Sequence, residues 1–106
     1  MAVLAKIRAL SNETRLEIVK LVRVREMDAG TVARRFKMTR PAVSQHLSVL
    51  REAGLVGERR VGSKRLYVVR AQAFDELGEF IEGFWSSRLR RLKQAAQAAE
   101  RFKAKK

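Results

Sequence analysis

The chain contains no cysteine, which removes disulfides, thiolate metal sites and thiol chemistry together. It has one histidine, His46, so imidazole catalysis and histidine metal clusters have almost nothing to build on. A single proline, Pro41, and six glycines spread over 106 residues favour a helical protein. No run approaches the roughly 18–20 apolar residues of a membrane span. No charged-then-apolar leader opens the sequence, so a cytoplasmic protein without membrane contact is expected. Acidic residues are scarce: 11 stand against 24 Lys and Arg, a net charge of +13. A surplus of that size repels itself and implies a polyanionic partner, such as nucleic acid or an anionic membrane. The hydrophobic content of 46% is enough for a packed core and argues against a disordered basic tail. The length suits one domain.

Apolar spacing then orders the chain. Val3, Leu4, Ile7 and Leu10 predict a short first helix. Ser11 and Asn12 are good N-cap types before a second, whose apolar positions are Leu16, Ile18, Val19, Leu21 and Val22. Asp28 caps a short third helix with Val32, Ala33 and Phe36 turned inward. Thr39 caps a fourth, with Pro41 in the first turn, where its missing N–H costs nothing, and Gly54 ending the helix after Ala53. Two β-prone runs, Val56 to Val61 and Arg65 to Val69, flank Gly62-Ser63-Lys64 and predict a small hairpin. From Gln72 the helical period returns through Phe74, Leu77, Ile81, Phe84, Leu89, Leu92, Ala96 and Ala99. This last helix is longer than so small a core needs, and its apolar stripe implies a partner helix. The tail from Arg101 to Lys106 is expected to fray.

Residues 28–54 have the lengths of a helix-turn-helix, with Lys37-Met38 as the turn. Its second helix has two faces. Val43, Leu47 and Leu50, spaced four and three apart, anchor it from behind; Arg40, Ser44, Gln45 and Ser48 lie opposite, free to meet a groove. Arg40 can donate a fork of hydrogen bonds to guanine, and Gln45 can bond adenine bidentately. Ser44 suits a base or a phosphate. Spacing alone does not separate this pattern from other three-helix bundles.

The residues themselves are more specific. Leu10-Ser11-Asn12-Glu13-Thr14-Arg15-Leu16-Glu17-Ile18 resembles the opening of the ArsR/SmtB family of winged helix-turn-helix repressors. The stretch Thr39-Arg40-Pro41-Ala42-Val43-Ser44-Gln45-His46-Leu47-Ser48-Val49-Leu50-Arg51-Glu52-Ala53-Gly54-Leu55-Val56 resembles that family's recognition helix and the start of its wing almost position by position. The likeness runs from about Ile7 to Leu92. It implies a mainly α fold with a small β-hairpin, a winged helix-turn-helix occupying residues 1–106. The helix-turn-helix would span 28–54, the wing 56–69, and dimerisation helices 1–10 and 72–100. It also implies a homodimer on an imperfect inverted repeat, with Arg40, Pro41, Ser44 and Gln45 where family members contact bases. In one respect the chain departs from the family's metal- and arsenic-sensing members: it lacks their cysteine-containing motif, and its one histidine sits in the recognition helix. No metal and no cofactor is therefore expected, and no effector ligand can be named.

Residues 34–70 hold ten basic and two acidic groups. Ser48 on the reading helix and Arg59, Arg60, Lys64 and Arg65 on the hairpin are accordingly read as phosphate contacts. Tyr67 is open to two readings, a touch on the sugar-phosphate backbone or simple packing. His46 is read as packing beside Leu47 and Leu50 or bonding a neighbouring helix. For the dimer, the stripe supplies Leu77, Ile81, Phe84, Leu89 and Leu92, with Val3, Leu4 and Ile7 beside it; Phe80 and Trp85 are also read as packing. Asp75, Glu76, Glu79 and Glu82 form the one acidic cluster, read as carboxylates meeting a helix dipole in preference to a hard-metal site. The basic run from Arg88 to Lys106 fits a solvated face, added DNA affinity or a fraying tail equally well.

The expected activity is that of a sequence-specific, double-stranded-DNA-binding transcriptional regulator, a repressor that blocks polymerase by occupying its operator. The rival from another class is a basic nucleoid protein that coats DNA without sequence choice. An enzyme is not expected, because no nucleophile–base pair, Gly-rich phosphate loop or metal-ligand spacing is present.

Overall fold

A computed structural model of the chain describes residues 2–104. Lys105 and Lys106 of the basic tail lie outside the described residues. The order is α1 (Ala2–Leu10), α2 (Glu13–Val24), α3 (Ala29–Phe36), α4 (Arg40–Glu52), β1 (Val56–Val61), β2 (Lys64–Val69) and α5 (Ala71–Ala104).

Local chemistry sets the helix boundaries. The Asn12 side chain accepts the N–H of Arg15 at 3.0 Å, Asp28 that of Thr31 at 3.0 Å, and Thr39 that of Ala42 at 3.3 Å. Each satisfies a donor that has no partner inside its own helix. At the end of α4, Gly54 takes φ +79°, its N–H bonds Arg51 O at 3.0 Å, and Leu55 N–H bonds Leu50 O at 3.0 Å. This is the Schellman closure that a left-handed glycine allows. The same pair of bonds closes α3, from Lys37 to Arg34 and from Met38 to Ala33, but the left-handed residue there is Lys37 (φ 53°). The Arg15 guanidinium folds back to donate to Ala9 O at 2.6 Å and so secures the sharp turn from α1 into α2.

The core collects where α2, α3, α4 and the start of the hairpin converge. Ile18, Val32, Val43, Leu47, Leu50, Leu55 and Val56 are completely buried, each contributing about 1.5–3 kcal/mol by leaving water. The four-and-three spacing of Val43, Leu47 and Leu50 thus points into the core as expected, whereas Leu16 of α2 remains at the surface.

The hairpin is antiparallel, with Val56 opposite Val69 and Val61 opposite Lys64. The expected three-residue connection is one residue too long. Lys64 pairs in β2, and the turn is Gly62-Ser63 alone, with positive φ at the first position only (Gly62, 62°). A first-position glycine with this sign of φ suits the twist of a two-residue hairpin. A further antiparallel bridge joins Tyr67 to Met27, ahead of α3, through Tyr67 N–H to Met27 O at 2.8 Å.

Helix α5 has 34 residues, about 51 Å at 1.5 Å per residue, and it makes the chain 72 Å long but only 27 and 21 Å across. It packs chiefly on α1. Ala73 and Leu77 are buried, and every residue from Gly78 to Phe102 is exposed. The structure corrects two expectations here. Leu77 belongs to the chain's own packing, because α1 covers that turn of the stripe. The acidic cluster begins too late to meet the helix dipole, since no acidic residue falls in the first turn of α5 and the effect fades within it. Glu76 instead faces the buried Lys6 of α1, Oε2 to Nζ 3.9 Å. Among the described residues no three carboxylates or histidines gather as a metal cage, and no helix is long and apolar enough to cross a membrane.

Candidate nucleic-acid interface

Helix α4 stands with its buried edge fixed, so the opposite edge is presented outward. Arg40, Pro41, Ser44, Gln45 and Ser48 are all exposed, and His46 is half-buried between the two faces. The hairpin then folds so that its cations approach the N-terminal half of α4. Between them lies a cleft of about 330 Å³, lined by Arg40 and Ser44 from α4, by Arg60, Ser63, Lys64, Arg65 and Tyr67 from the hairpin, and by Asp28 and Ala29 from the start of α3. Both walls present hydroxyls and cations, the side-chain types that can hydrogen-bond phosphate oxygens. A major groove admits an α-helix, and the exposed edge of α4 runs beside this cleft.

Not every expected residue joins this cleft. Gln45, Pro41 and Ser48 stand on the outer edge of α4, outside it. Arg59 turns the other way and pairs with Glu26 ahead of α3, its Nε lying 3.2 Å from Oε2. Arg65 lines the cleft, yet its Nε is 3.5 Å from Glu58 Oε2, and Arg51 of α4 binds the other oxygen of the same carboxylate. The four hairpin cations read as phosphate contacts thus stand in two different settings. Among the described residues Arg60 and Lys64 line the cleft without an ion pair, whereas Arg59 and Arg65 are each paired with a carboxylate.

Tyr67 is half-buried against the core, so packing accounts for most of its ring while part of it still lines the cleft. Burial pushes its phenol above the ordinary value of 10.0, with the Glu58 charge adding to the rise. Asp28 is held below its ordinary 3.8, first by the hydrogen bonds from Thr31 and then by the positive charges of Lys64 and Arg34. Asp28 and Ser63 as lining of the cleft, and the pairs Glu26–Arg59 and Arg51–Glu58, were missed by sequence reasoning. The one usable signal was Glu58 itself, a lone acid within a run of cations.

Comparison with known proteins agrees with this geometry. Residues 12–58 match the bacterial regulatory protein family arsR. The chain is 37% identical over 82 residues to the HTH-type transcriptional regulator Rv2034 of Mycobacterium tuberculosis, covering 77% of each protein. It is 34% identical over 55 residues to the transcriptional repressor SdpR of Bacillus subtilis, covering 52% of this chain and 61% of that one. Among solved structures it resembles an ArsR-like transcriptional regulator from Rhodococcus sp. RHA1, with TM-score 0.73, 31% identity, and 90% and 92% of the two chains covered. It also resembles a homodimeric winged helix-turn-helix DNA-binding domain from Mycobacterium bovis, with TM-score 0.67, 25% identity, and 83% and 82% covered. With α3 and α4 as its helix-turn-helix and the hairpin as its wing, the chain belongs to the arsR family of bacterial regulatory proteins, which are DNA-binding transcriptional regulators and not enzymes.

Proposed function

We propose that this protein is a cytoplasmic, sequence-specific repressor that binds an imperfect inverted repeat as a homodimer and blocks polymerase by occupying the site. The observation that carries the reading is the two-sidedness of α4. Val43, Leu47 and Leu50 are fully buried, while Arg40, Ser44, Gln45 and Ser48 stand free beside a cationic cleft. In this reading Arg40 and Gln45 meet base edges, with Pro41 and Ser44 against the same groove. Ser48, Arg60 and Lys64 hold phosphates, joined by Arg65 and Tyr67 where the cleft reaches the backbone. Repression in particular rests on likeness to a relative named as a repressor.

Dimerisation is supported by what α5 leaves uncovered: Ile81 is 42% exposed, Phe84 55%, Leu89 58% and Leu92 62%. Leu4 is exposed, and Val3 and Ile7 are half-buried, on the α1 that α5 packs against. Two recognition helices related by a twofold axis read half-sites about one helical turn, roughly 10–10.5 bp, apart or a multiple of it.

Selecting bound duplexes from a random pool tests this directly. The proposal expects enrichment of an inverted repeat with that spacing. A pool that binds without enrichment overturns it in favour of a DNA-coating protein, a role that the net charge of +13 alone would serve.

A further inference from the structure

The two wing strands carry one carboxylate, Glu58, among the cations Arg59, Arg60, Lys64 and Arg65. Its side chain is 24% exposed, less than half the value for either arginine it meets. One oxygen accepts from Nη1 of Arg51 in the last turn of α4, and the other lies 3.5 Å from Nε of Arg65 on β2. The chain runs from α4 to β1 through Ala53, Gly54 and Leu55, and the Arg51–Glu58 pair closes that connection seven residues apart. Directly across the ladder stands Tyr67, whose N–H is tied to Met27. One carboxylate thus links the reading helix to both wing strands, at the rung where the wing is fastened to the body.

We propose that Glu58 is a positioning residue for DNA recognition: it sets the angle of the wing against α4, so that phosphates held by the wing and bases met by α4 are engaged together. It does not touch DNA. The inference rests on the reading of α4 and the wing as a sequence-specific interface.

The test turns on a sign. Were Glu58 only a surface charge, its removal would raise the net positive charge and free two guanidinium groups for phosphate. Binding to every DNA would tighten and its salt dependence would steepen. A clamp predicts the opposite for the cognate site, because a wing that swings loses the shared register. Affinities of the full chain are measured at several salt concentrations for the duplex enriched from a random pool and for a scrambled duplex of equal length. Glu58→Gln is expected to lower the ratio of cognate to scrambled affinity about fivefold, the upper end of what an exposed ion pair is worth. Glu58→Asp, which keeps the charge on a shorter arm, should restore part of that ratio. Arg51→Gln cuts the same clamp from the α4 side, so it should lower the ratio similarly and add little to Glu58→Gln; it also serves if Glu58→Gln fails to fold. A discriminating wild type whose Glu58→Gln variant tightens equally on both duplexes overturns this proposal alone. A wild type that binds both duplexes equally overturns the reading of α4 and takes this proposal with it.

Discussion

Asp28 accepts the backbone N–H of Thr31 at 3.0 Å and, in the same position, lines the cleft beside Lys64. A helix cap therefore supplies a carboxylate to a cleft lined mainly by cations and hydroxyls. Because hydrogen bonds from Thr31 hold Asp28 below its ordinary 3.8, folding favours the charged form. The stability this adds is complete above the ordinary value and is lost as pH falls through the lower, folded one. Asp28→Ala should cost about 1 kcal/mol at neutral pH. Asp28→Asn keeps a capping oxygen, so it should cost less and should flatten the loss of stability below about pH 4. Urea denaturation across pH 2–7 checks both; equal acid sensitivity in wild type and Asp28→Asn would contradict the assignment.

Lys37 occupies the left-handed position between α3 and α4 with φ 53°, where a Cβ is crowded and glycine is not. Lys37→Gly should raise stability by about 0.5–1 kcal/mol, the relief being partly offset by glycine's freedom in the unfolded chain. The denaturant midpoint should rise with an unchanged slope, and a fall would show that the Lys37 side chain makes a stabilising contact worth more than the strain.

Helix α5 separates two roles along one stripe. Leu77 is 7% exposed and Ile81, four residues on, 42%. Leu77→Glu buries an unpaired charge and should damage the fold, lowering the thermal midpoint. Ile81→Glu should leave helicity intact and give a folded monomer with weakened DNA binding. Sedimentation at micromolar concentration distinguishes them, and a dimeric Ile81→Glu variant would remove Ile81 from the interface.

That contrast marks the limit of what periodicity conveys. The caps Asn12, Asp28 and Thr39, the proline in the first turn of α4 and the buried row Val43, Leu47 and Leu50 were readable in the sequence, because each depends on neighbours within one or two turns. The winged helix-turn-helix followed from them and from the family resemblance. Leu77 and Ile81 look alike in sequence, since only the packing of α1, some seventy residues earlier, decides which is covered. The same holds for the wing. Arg59 and Arg60 are adjacent, yet Glu26, 33 residues from Arg59, takes one and leaves the other to the cleft. Pairings across that distance depend on the fold and have no local signature. The hairpin turn was misjudged by one residue because Gly62-Ser63 suffices where Gly62-Ser63-Lys64 also reads as a loop.

The central claim is that α4 reads bases while the wing holds the backbone. It is tested most directly by the affinities of wild type, Gln45→Ala and Lys64→Ala for the selected operator and for a scrambled duplex. Gln45→Ala should cost about 1–3 kcal/mol on the operator and far less on scrambled DNA. Lys64→Ala should weaken both alike and reduce the salt slope by about one. If Gln45→Ala weakened both duplexes equally, α4 would not be reading sequence at that position, and the account would be contradicted at its centre.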